Sequence, residues 1–212
     1  MNPESLIFDI DGTLWDSRQL VAEGYNRQLR KESRADLCVT AEMLRPLFGK
    51  VMTDIADALF PTVPLPERYA LMARCMETEN RYLHKNPCQI GYPQVAETIA
   101  KLDKTHRLFI VSNSQCGYPE LCMEKLGIAS HINACLCFGD TGTEKGETLK
   151  RLMRTYLISD AVYIGDTQGD CDAAHEAGIP FLFAAYGFGQ VTDYDARLER
   201  FSDLPALLEA AR

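Results

Sequence analysis

Two aspartates separated by a single residue follow the first apolar run of the chain. The run from Leu6 to Phe8 predicts a short buried strand, and Asp9 and Asp11 come directly after it. Because side chains two residues apart on an extended chain lie on one face, we expect the two carboxyl groups to share a side. Such a pair contributes little to stability, but it can hold a hard cation or attack an electrophile. The opening of the chain therefore predicts a catalytic or cation-binding site.

Polar residues of related types recur in later segments of the chain. Ser112 and Asn113 end an apolar run, Lys145 opens a predicted helix, and Asp166 and Asp170 follow a further apolar run. In a parallel sheet the carboxyl ends of the strands meet at one edge, where ligands bind. We therefore expect these side chains to gather beside the first aspartate pair.

Strand-like and helix-like runs alternate after residue 90, which predicts βαβ units and a parallel sheet. Residues 17–86 differ, because they have a helical pattern with no clear strand. Within them, a long helix after Pro66 is predicted to present an apolar stripe, made of Tyr69, Met72, Ala73 and Met76. The predicted fold class is α/β, with a Rossmann-like parallel sheet flanked by helices and an inserted all-helical domain. The predicted domains are residues 1–16 with 87–212, and residues 17–86.

A cluster of aspartates needs a cation to offset its repulsion. Two like charges ~4 Å apart repel by about 4 kcal/mol at an effective dielectric near 20. Magnesium fits best, because it takes oxygen ligands and leaves positions for water and phosphate. The four histidines are dispersed and no CxxC pair occurs, so the sequence predicts no His/Cys ligand set. The eight cysteines are scattered, and we expect reduced, buried thiols.

Composition excludes several classes of function. The chain has 212 residues, with 30 acidic and 22 basic side chains and a net charge of -8, which argues against general nucleic-acid binding. The net charge does not exclude a small anionic substrate, since a local lysine and a cation reverse the sign inside a pocket. The sequence predicts neither a membrane span nor a signal peptide, and hence a cytoplasmic protein.

The four segments resemble, in the same order, the motifs of the haloacid dehalogenase-like hydrolases, most of which are phosphatases. The matching segments are residues 8–17, 111–114, Lys145 and 165–170. The resemblance covers nearly the whole chain. It implies an α/β hydrolase core, with residues 17–86 as a cap domain, and its general similarity is to the phosphoglycolate phosphatase type.

The resemblance also implies a role for each residue. Asp9 would be the nucleophile that forms an aspartyl-phosphate, and Asp11 would act first as general acid and then as general base. Ser112 would donate to the phosphate, Asn113 would orient it, and Lys145 would offset negative charge.

The same resemblance implies the ligands of the metal and the phosphate. Asp9, Asp11, Asp166 and Asp170 would form the Mg²⁺ site, Asp11 through its backbone carbonyl. Gly12 and Thr13 fit a tight turn that brings backbone N–H groups to the phosphate.

Substrate choice is assigned to the cap, where Arg45 and Lys50 are candidate substrate-binding residues. The expected partner is a small phosphorylated metabolite, with no nucleic acid and no membrane, and the chain is expected to be a monomer or weak dimer. Alternatives are a phosphomutase of the β-phosphoglucomutase type, a dehalogenase, and a regulator that binds phosphoryl ligands without turnover. The dehalogenase is disfavoured by Asp11 and residues 165–170, because halide displacement needs no magnesium site.

Overall fold

A computed structural model of the chain describes residues 3–210, which form a single sheet and ten α-helices. The strands are Ser5–Phe8 (β1), Arg107–Ser112 (β2), Ala134–Cys137 (β3), Ala161–Gly165 (β4), Phe181–Ala184 (β5) and Ala196–Leu198 (β6). The α-helices are Arg18–Lys31 (α1), Ala41–Leu44 (α2), Met52–Leu59 (α3), Leu65–Lys85 (α4), Val95–Leu102 (α5), Tyr118–Leu126 (α6), Phe138–Thr141 (α7), Lys145–Tyr156 (α8), Gln168–Glu176 (α9) and Leu204–Ala210 (α10).

All six strands are parallel, in the order β3-β2-β1-β4-β5-β6. The first strand is central: Ser5 pairs with Arg107 on one side and with Ala161 on the other. The chain builds the sheet outward from β1 to β3 and then returns to add β4 on the other side. Ligands in such sheets bind where the strand order reverses, which here is between the carboxyl ends of β1 and β4. The predicted α/β fold with a parallel sheet is confirmed.

Successive residues of β1 point to opposite faces of the sheet, and both faces are covered. Ile7 belongs to an apolar cluster that includes Leu149 of α8 and Cys171 of α9. The ring of Phe8 lies 5.8 Å from that of Phe201, which precedes α10. Burial on both faces explains why the strand is continuously apolar rather than alternating.

The chain divides into two compact units. One contains the chain up to Asp16 together with the chain from Ile90 onward, and the other is Ser17–Gln89. The segments on either side of the insertion are joined inside the first unit, since the Asp16 amide donates to the Ile90 carbonyl at 2.8 Å. The sequence-based boundary lies between residues 86 and 87. That the helical unit acts as a cap stays a prediction.

The helical unit is built around α1 and α4. A side chain at Gly24 would bring its Cβ within 2.8 Å of the Glu79 Cα, so glycine allows the two helices to approach closely. The buried residues of α4 are Leu71, Met72, Cys75, Glu79 and Leu83. The predicted stripe is therefore partly wrong, because Ala73 is exposed and the buried face is displaced around the helix.

Among the helices within residues 3–210, none combines the length and the apolar character needed to cross a membrane.

Candidate active site

The nucleophile candidate lies at the centre of the sheet edge. Asp9 follows the last residue of β1, and its backbone N–H donates to the Ile164 carbonyl of β4 at 2.8 Å, which fixes the start of the loop. Its side chain is almost completely buried. A carboxylate in this position is costly unless positive charge or hydrogen-bond donors face it.

Lys145 supplies that positive charge. It is the first residue of α8, it is buried, and its Nζ donates to Asp9 Oδ1 at 2.8 Å and to Asp170 Oδ1 at 2.5 Å. Tyr163 adds a weaker contact, its hydroxyl lying 3.5 Å from the same Asp9 oxygen. Because an ammonium group has three donors, Lys145 retains one N–H for a further anion. Within residues 3–210 no hydrogen bond engages Asp9 Oδ2, so this oxygen is the one left to react.

Asp170 is held by the helix that carries it. Thr167 caps α9, its hydroxyl accepting from the Asp170 amide, and Asp170 Oδ2 in turn accepts from the Thr167 amide at 2.9 Å and hydroxyl at 2.7 Å. This capping box satisfies the first turn of the helix. One oxygen of Asp170 therefore serves α9 and the other serves Lys145, which makes Asp170 chiefly a positioning residue for the lysine.

Asp166 lies directly after β4 and is completely buried. Its Oδ2 accepts from the Phe188 amide at 2.7 Å, whereas its Oδ1 has no hydrogen-bond partner in the described part of the chain. Gly12 adopts a φ of +83°, and a Cβ there would lie 2.1 Å from Asp166 Oδ2. Glycine is required here both by the backbone conformation and by the closeness of the carboxylate.

Three carboxylates converge without enough positive charge to balance them. Oxygens of Asp9, Asp166 and Asp170 all lie within 4.8 Å of one another, and Lys145 supplies a single positive charge. Burial raises the pKa of Asp9 to about 7, although Lys145 opposes that shift, and burial with the charges of Asp170 and Asp9 raises the pKa of Asp166 well above its usual range. Burial lowers the pKa of Lys145, but the two carboxylates outweigh it and the net pKa is raised. A divalent cation with oxygen ligands fits this excess of negative charge and the unpartnered Asp166 oxygen.

Asp11 has different surroundings. Strand β1 ends at Phe8, so the expected sharing of one face does not arise from strand geometry, and the Asp11 carboxyl is outside the group of three carboxylates. Its Oδ1 accepts from the indole N–H of Trp15 at 2.8 Å and from the hydroxyl of Tyr118 at 2.8 Å. Trp15 and Tyr118 also pack edge to face, with ring centroids 5.4 Å apart. Two rigid aromatic donors therefore fix the orientation of this carboxyl group.

Comparison with known proteins agrees with this arrangement. Residues 6–184 match the family of haloacid dehalogenase-like hydrolases. The chain belongs to the haloacid dehalogenase-like hydrolases. It is 26% identical over 218 residues to a phosphoglycolate phosphatase of Aquifex aeolicus, covering 96% of each protein. It is 29% identical over 192 residues to a phosphoglycolate phosphatase of Xanthomonas campestris pv. campestris, covering 88% of this chain and 85% of that protein.

The fold also matches a haloacid dehalogenase-like family hydrolase from Streptococcus pneumoniae, with a TM-score of 0.82, 17% identity and coverage of 97% and 98% of the two chains. The resemblance predicted from the four motifs is thus confirmed. The chain is an enzyme of the haloacid dehalogenase-like hydrolase family that resembles phosphoglycolate phosphatases.

The remaining motif residues of this hydrolase lie around the same edge. Ser112 is the buried last residue of β2, and its Oγ accepts from the Ser114 amide at 3.2 Å, with Asn113 between them. Thr13 is buried, its carbonyl accepts from the Tyr186 hydroxyl at 2.8 Å, and its own hydroxyl has no partner within residues 3–210.

The two predicted substrate-binding residues of the insertion lie in the helical unit. Arg45 follows α2 and Lys50 precedes α3, and both are exposed. Their role in substrate binding stays a prediction.

Three contributors were missed or left undecided at the level of sequence. Tyr118 contacts Asp11 from a segment far along the chain, and no local pattern marks it. For the segment from Tyr186 to Gly189, which follows a strand, the sequence leaves open a plain loop or a border of the site, and in the structure the Phe188 amide donates to Asp166. Trp15 could be interpreted equally as core or as an entrance residue, and it is buried beside Asp11.

Proposed function

We propose that this hydrolase is a Mg²⁺-dependent phosphatase that cleaves a small phosphomonoester through an aspartyl-phosphate on Asp9. The observation that carries the proposal is the buried set of Asp9, Lys145 and Asp166 at the switch point of the sheet. Phosphoryl transfer needs a nucleophile in line, charge neutralisation and donors for the equatorial oxygens, and this set supplies the first two.

In the first half-reaction, Asp9 Oδ2 attacks phosphorus. The new Asp9–phosphorus bond forms as the bond from phosphorus to the ester oxygen breaks, and Asp11 gives its proton to the departing alkoxide. The free N–H of Lys145 donates to a phosphate oxygen, and the Ser112 hydroxyl supplies a further donor. The amides of Gly12 and Thr13, expected from the sequence to face the phosphate, donate instead to the Trp15 carbonyl at 2.9 Å and to the Ile10 carbonyl at 3.2 Å.

In the second half-reaction, a water molecule attacks the phosphorus of the aspartyl-phosphate. Asp11, now ionised, takes a proton from that water, and the bond from phosphorus to Asp9 breaks to release inorganic phosphate. The same carboxyl group thus acts in both steps. Its hydrogen bonds from Trp15 and Tyr118 to Oδ1 hold it in one orientation throughout.

Asp9 and Asp166 with the backbone carbonyl of Asp11 would hold Mg²⁺, and Asp170 would support the site by positioning Lys145. When bound, the ion neutralises the carboxylates and the charge that develops on the phosphoryl oxygens. The all-oxygen character of the group and the unpartnered Asp166 Oδ1 favour a hard cation.

The names of the Aquifex and Xanthomonas relatives favour phosphoglycolate or a similar small phosphorylated acid as substrate. A basic side chain is the natural partner for the carboxylate of such a substrate. Arg45 and Lys50 are the candidates in the helical unit, which we propose acts as the cap. Substitution of either should change the ranking of substrates more than the activity toward a generic aryl phosphate. The cytoplasmic location stays a prediction.

The decisive experiment is a screen of phosphorylated metabolites with and without Mg²⁺, in which free phosphate and acid-stable phosphorylated protein are both measured. We expect phosphate release that stops in chelator, returns with excess Mg²⁺ and is inhibited by Ca²⁺, and a phosphoenzyme that is absent in Asp9→Asn. Full activity in verified metal-free protein would contradict the metal requirement. Conversion of a sugar phosphate to its isomer without phosphate release would identify a mutase instead, and binding without either reaction would identify a regulator.

A further inference from the structure

A second group of metal-ligating side chains lies outside the acidic site. Cys137 is the buried last residue of β3, Cys116 lies exposed in the loop between β2 and α6, and Asp140 lies in α7. Asp140 Oδ1 lies 3.4 Å from Cys116 Sγ, and Asp140 Oδ2 lies 3.1 Å from Cys137 Sγ. Ligating atoms of all three residues lie within 4.8 Å of one another. The sequence predicts no set of His or Cys ligands because the spacing of these cysteines matches no zinc motif, and only the fold brings Cys116 and Cys137 together.

The backbone around this group brings its members together. The Gly139 amide donates to the Ser114 carbonyl at 3.1 Å, which ties the start of α7 to the loop that carries Cys116. A Cβ at Gly139 would lie 2.4 Å from the Cys116 amide nitrogen and 2.8 Å from its sulfur. Glycine at 139 thus permits the close approach that places the Cys116 sulfur beside Asp140. The Cys137 amide donates to Asp140 Oδ2 at 3.0 Å and fixes the carboxylate from the other side.

The donor types select the kind of ion. Two sulfurs and one carboxylate suit a borderline-soft cation, whereas Mg²⁺ and Ca²⁺ prefer oxygen alone. Zinc bonds to sulfur at ~2.3 Å and to carboxylate oxygen at ~2.0–2.2 Å, so tetrahedral ligands lie roughly 3.5–3.8 Å apart. The observed contacts of sulfur with oxygen come close to that spacing without an ion. Because Cys116 and Asp140 are exposed, a fourth position remains open to water.

We propose that Cys116, Cys137 and Asp140 form a binding site for a thiophilic divalent cation of the zinc type. Binding forms two metal–sulfur bonds and one metal–oxygen bond, and each thiol loses its proton to solvent, so that two protons are released for each ion. No change of oxidation state is involved.

The protonation states of the two thiols and of the Asp140 carboxylate agree with the release of two protons for each ion. Burial and the neighbouring Asp140 raise the pKa of Cys116, and burial raises that of Cys137 still further, so both thiols are protonated in the metal-free protein. Burial alone would raise the pKa of Asp140, but hydrogen bonds from the Cys137 thiol and amide lower it overall, so its carboxylate is ionised. A bound ion would tie the segment that follows Ser112 to α7, because Cys116 lies four residues after Ser112 in that loop.

The test uses the full chain, reduced with a phosphine and titrated with Co²⁺ and then with Zn²⁺. Thiolate-to-cobalt charge-transfer absorption reports sulfur ligands only, so the all-oxygen group at Asp9 cannot produce it. We expect this absorption in the wild-type protein, its loss on addition of Zn²⁺, and release of about two protons per ion in weak buffer. Cys116→Ser and Asp140→Asn should weaken Zn²⁺ binding by more than the ~10- to 100-fold typical of losing an outer-shell partner.

Two matched controls keep the assignment specific. Cys38→Ser removes an exposed thiol of the helical unit, and Asp166→Ala disables the acidic group; both should retain the charge-transfer absorption. Cys116→Ser is the principal variant, because the exposed position tolerates substitution better than buried Cys137. Absence of the absorption in reduced wild-type protein, or its persistence in Cys116→Ser, would overturn the proposal.

Discussion

Asp9 and Asp11 are two residues apart in the chain, yet their surroundings have little in common. Asp9 is buried among two other carboxylates and one ammonium group, and charge dominates its environment. Asp11 is half-buried and held by two neutral aromatic donors on a single oxygen. Under the proposed function, one loop would hold both a nucleophile that needs positive charge and an acid–base group that needs a fixed orientation.

The comparison also separates the two kinds of support that a catalytic carboxyl group can receive. Lys145 and the expected Mg²⁺ act on Asp9 electrostatically, so removing them changes charge balance. Trp15 and Tyr118 act on Asp11 through directed hydrogen bonds, so removing them changes geometry. Substitutions at Asp9 and at Asp11 with its hydrogen-bond donors should therefore differ in the size of their effect on activity and in the measurement that detects it.

The largest effect is expected from Asp9→Asn. The change is nearly isosteric, so the fold should persist, but the amide cannot attack phosphorus, and turnover should fall by ~10⁴-fold or more. Steady-state release of phosphate from the best substrate measures this, with circular dichroism as the control for folding. Retention of activity within about tenfold of wild type would remove Asp9 from the nucleophile role.

Asp11→Asn should slow both half-reactions by roughly 10²- to 10⁴-fold while leaving metal binding largely intact. The Asn side chain keeps an oxygen that can accept from Trp15 and Tyr118, so the loss is chemical rather than structural. For nitrophenyl phosphate the first step should be affected less, since that leaving group needs no proton. Rapid quench with labelled substrate resolves the two steps. Formation and decay of the phosphoenzyme at wild-type rates with an alkyl phosphate would show that Asp11 is structural.

Tyr118→Phe should lower kcat by about tenfold. The loss is smaller than for Asp11→Asn, because Tyr118 only positions the proposed acid–base group. The substitution removes the hydroxyl that donates to Asp11 and keeps the aromatic ring. Because Tyr118 does not bind substrate in this scheme, KM should change little, and the deficit should shrink for nitrophenyl phosphate in the first step. Tyr156→Phe, which removes an exposed hydroxyl on α8, is the matched control. An equal deficit for alkyl and aryl esters in both steps would instead indicate a general structural defect.

The last prediction concerns the stability of the metal-free protein and involves no catalysis. Burial raises the pKa of Asp9 from 3.8 to about 7 in the folded state, so the folded protein binds the extra proton between those values. The stability contributed by that proton is fully present below pH ~4 and is lost as pH rises toward 7, by at most about 1.4 kcal/mol per pH unit. Urea unfolding in chelator should therefore show Asp9→Asn gaining stability over wild type across this range. A difference between the two proteins that is constant with pH would contradict the raised pKa.

Much of the α/β unit could be predicted because its signals are local. The apolar run of β1 and the aspartates that follow it occupy adjacent positions, and parallel strands bring their ends to one edge whatever the details of packing. The placement of Lys145 at the first position of α8 could be predicted for the same reason. The residues of the second group of ligands could not, because only the pairing of Ser112 with Cys137 brings the loop of Cys116 next to β3.

Predictions were less accurate where they depended on which other helix or strand packs against an element. The stripe of α4 included Ala73, which is exposed, because helical period alone does not say which of two adjacent faces meets α1. Tyr118 could not be predicted as a partner of Asp11, because the two residues are 107 positions apart and neither segment has a sequence pattern that indicates the contact. Contacts of this kind arise only when the sheet has assembled.

The central position of β1 has a consequence for folding during synthesis. Its partners lie far downstream, since Ser5 pairs with Arg107, a separation of 102 residues, and with Ala161, a separation of 156. During synthesis this apolar strand leaves the ribosome long before either neighbour exists, whereas the helices of the insertion can form at once from nearby residues. The acidic site is therefore completed only after β4 emerges, and until then the apolar strand that precedes Asp9 lacks one of its two neighbours in the sheet.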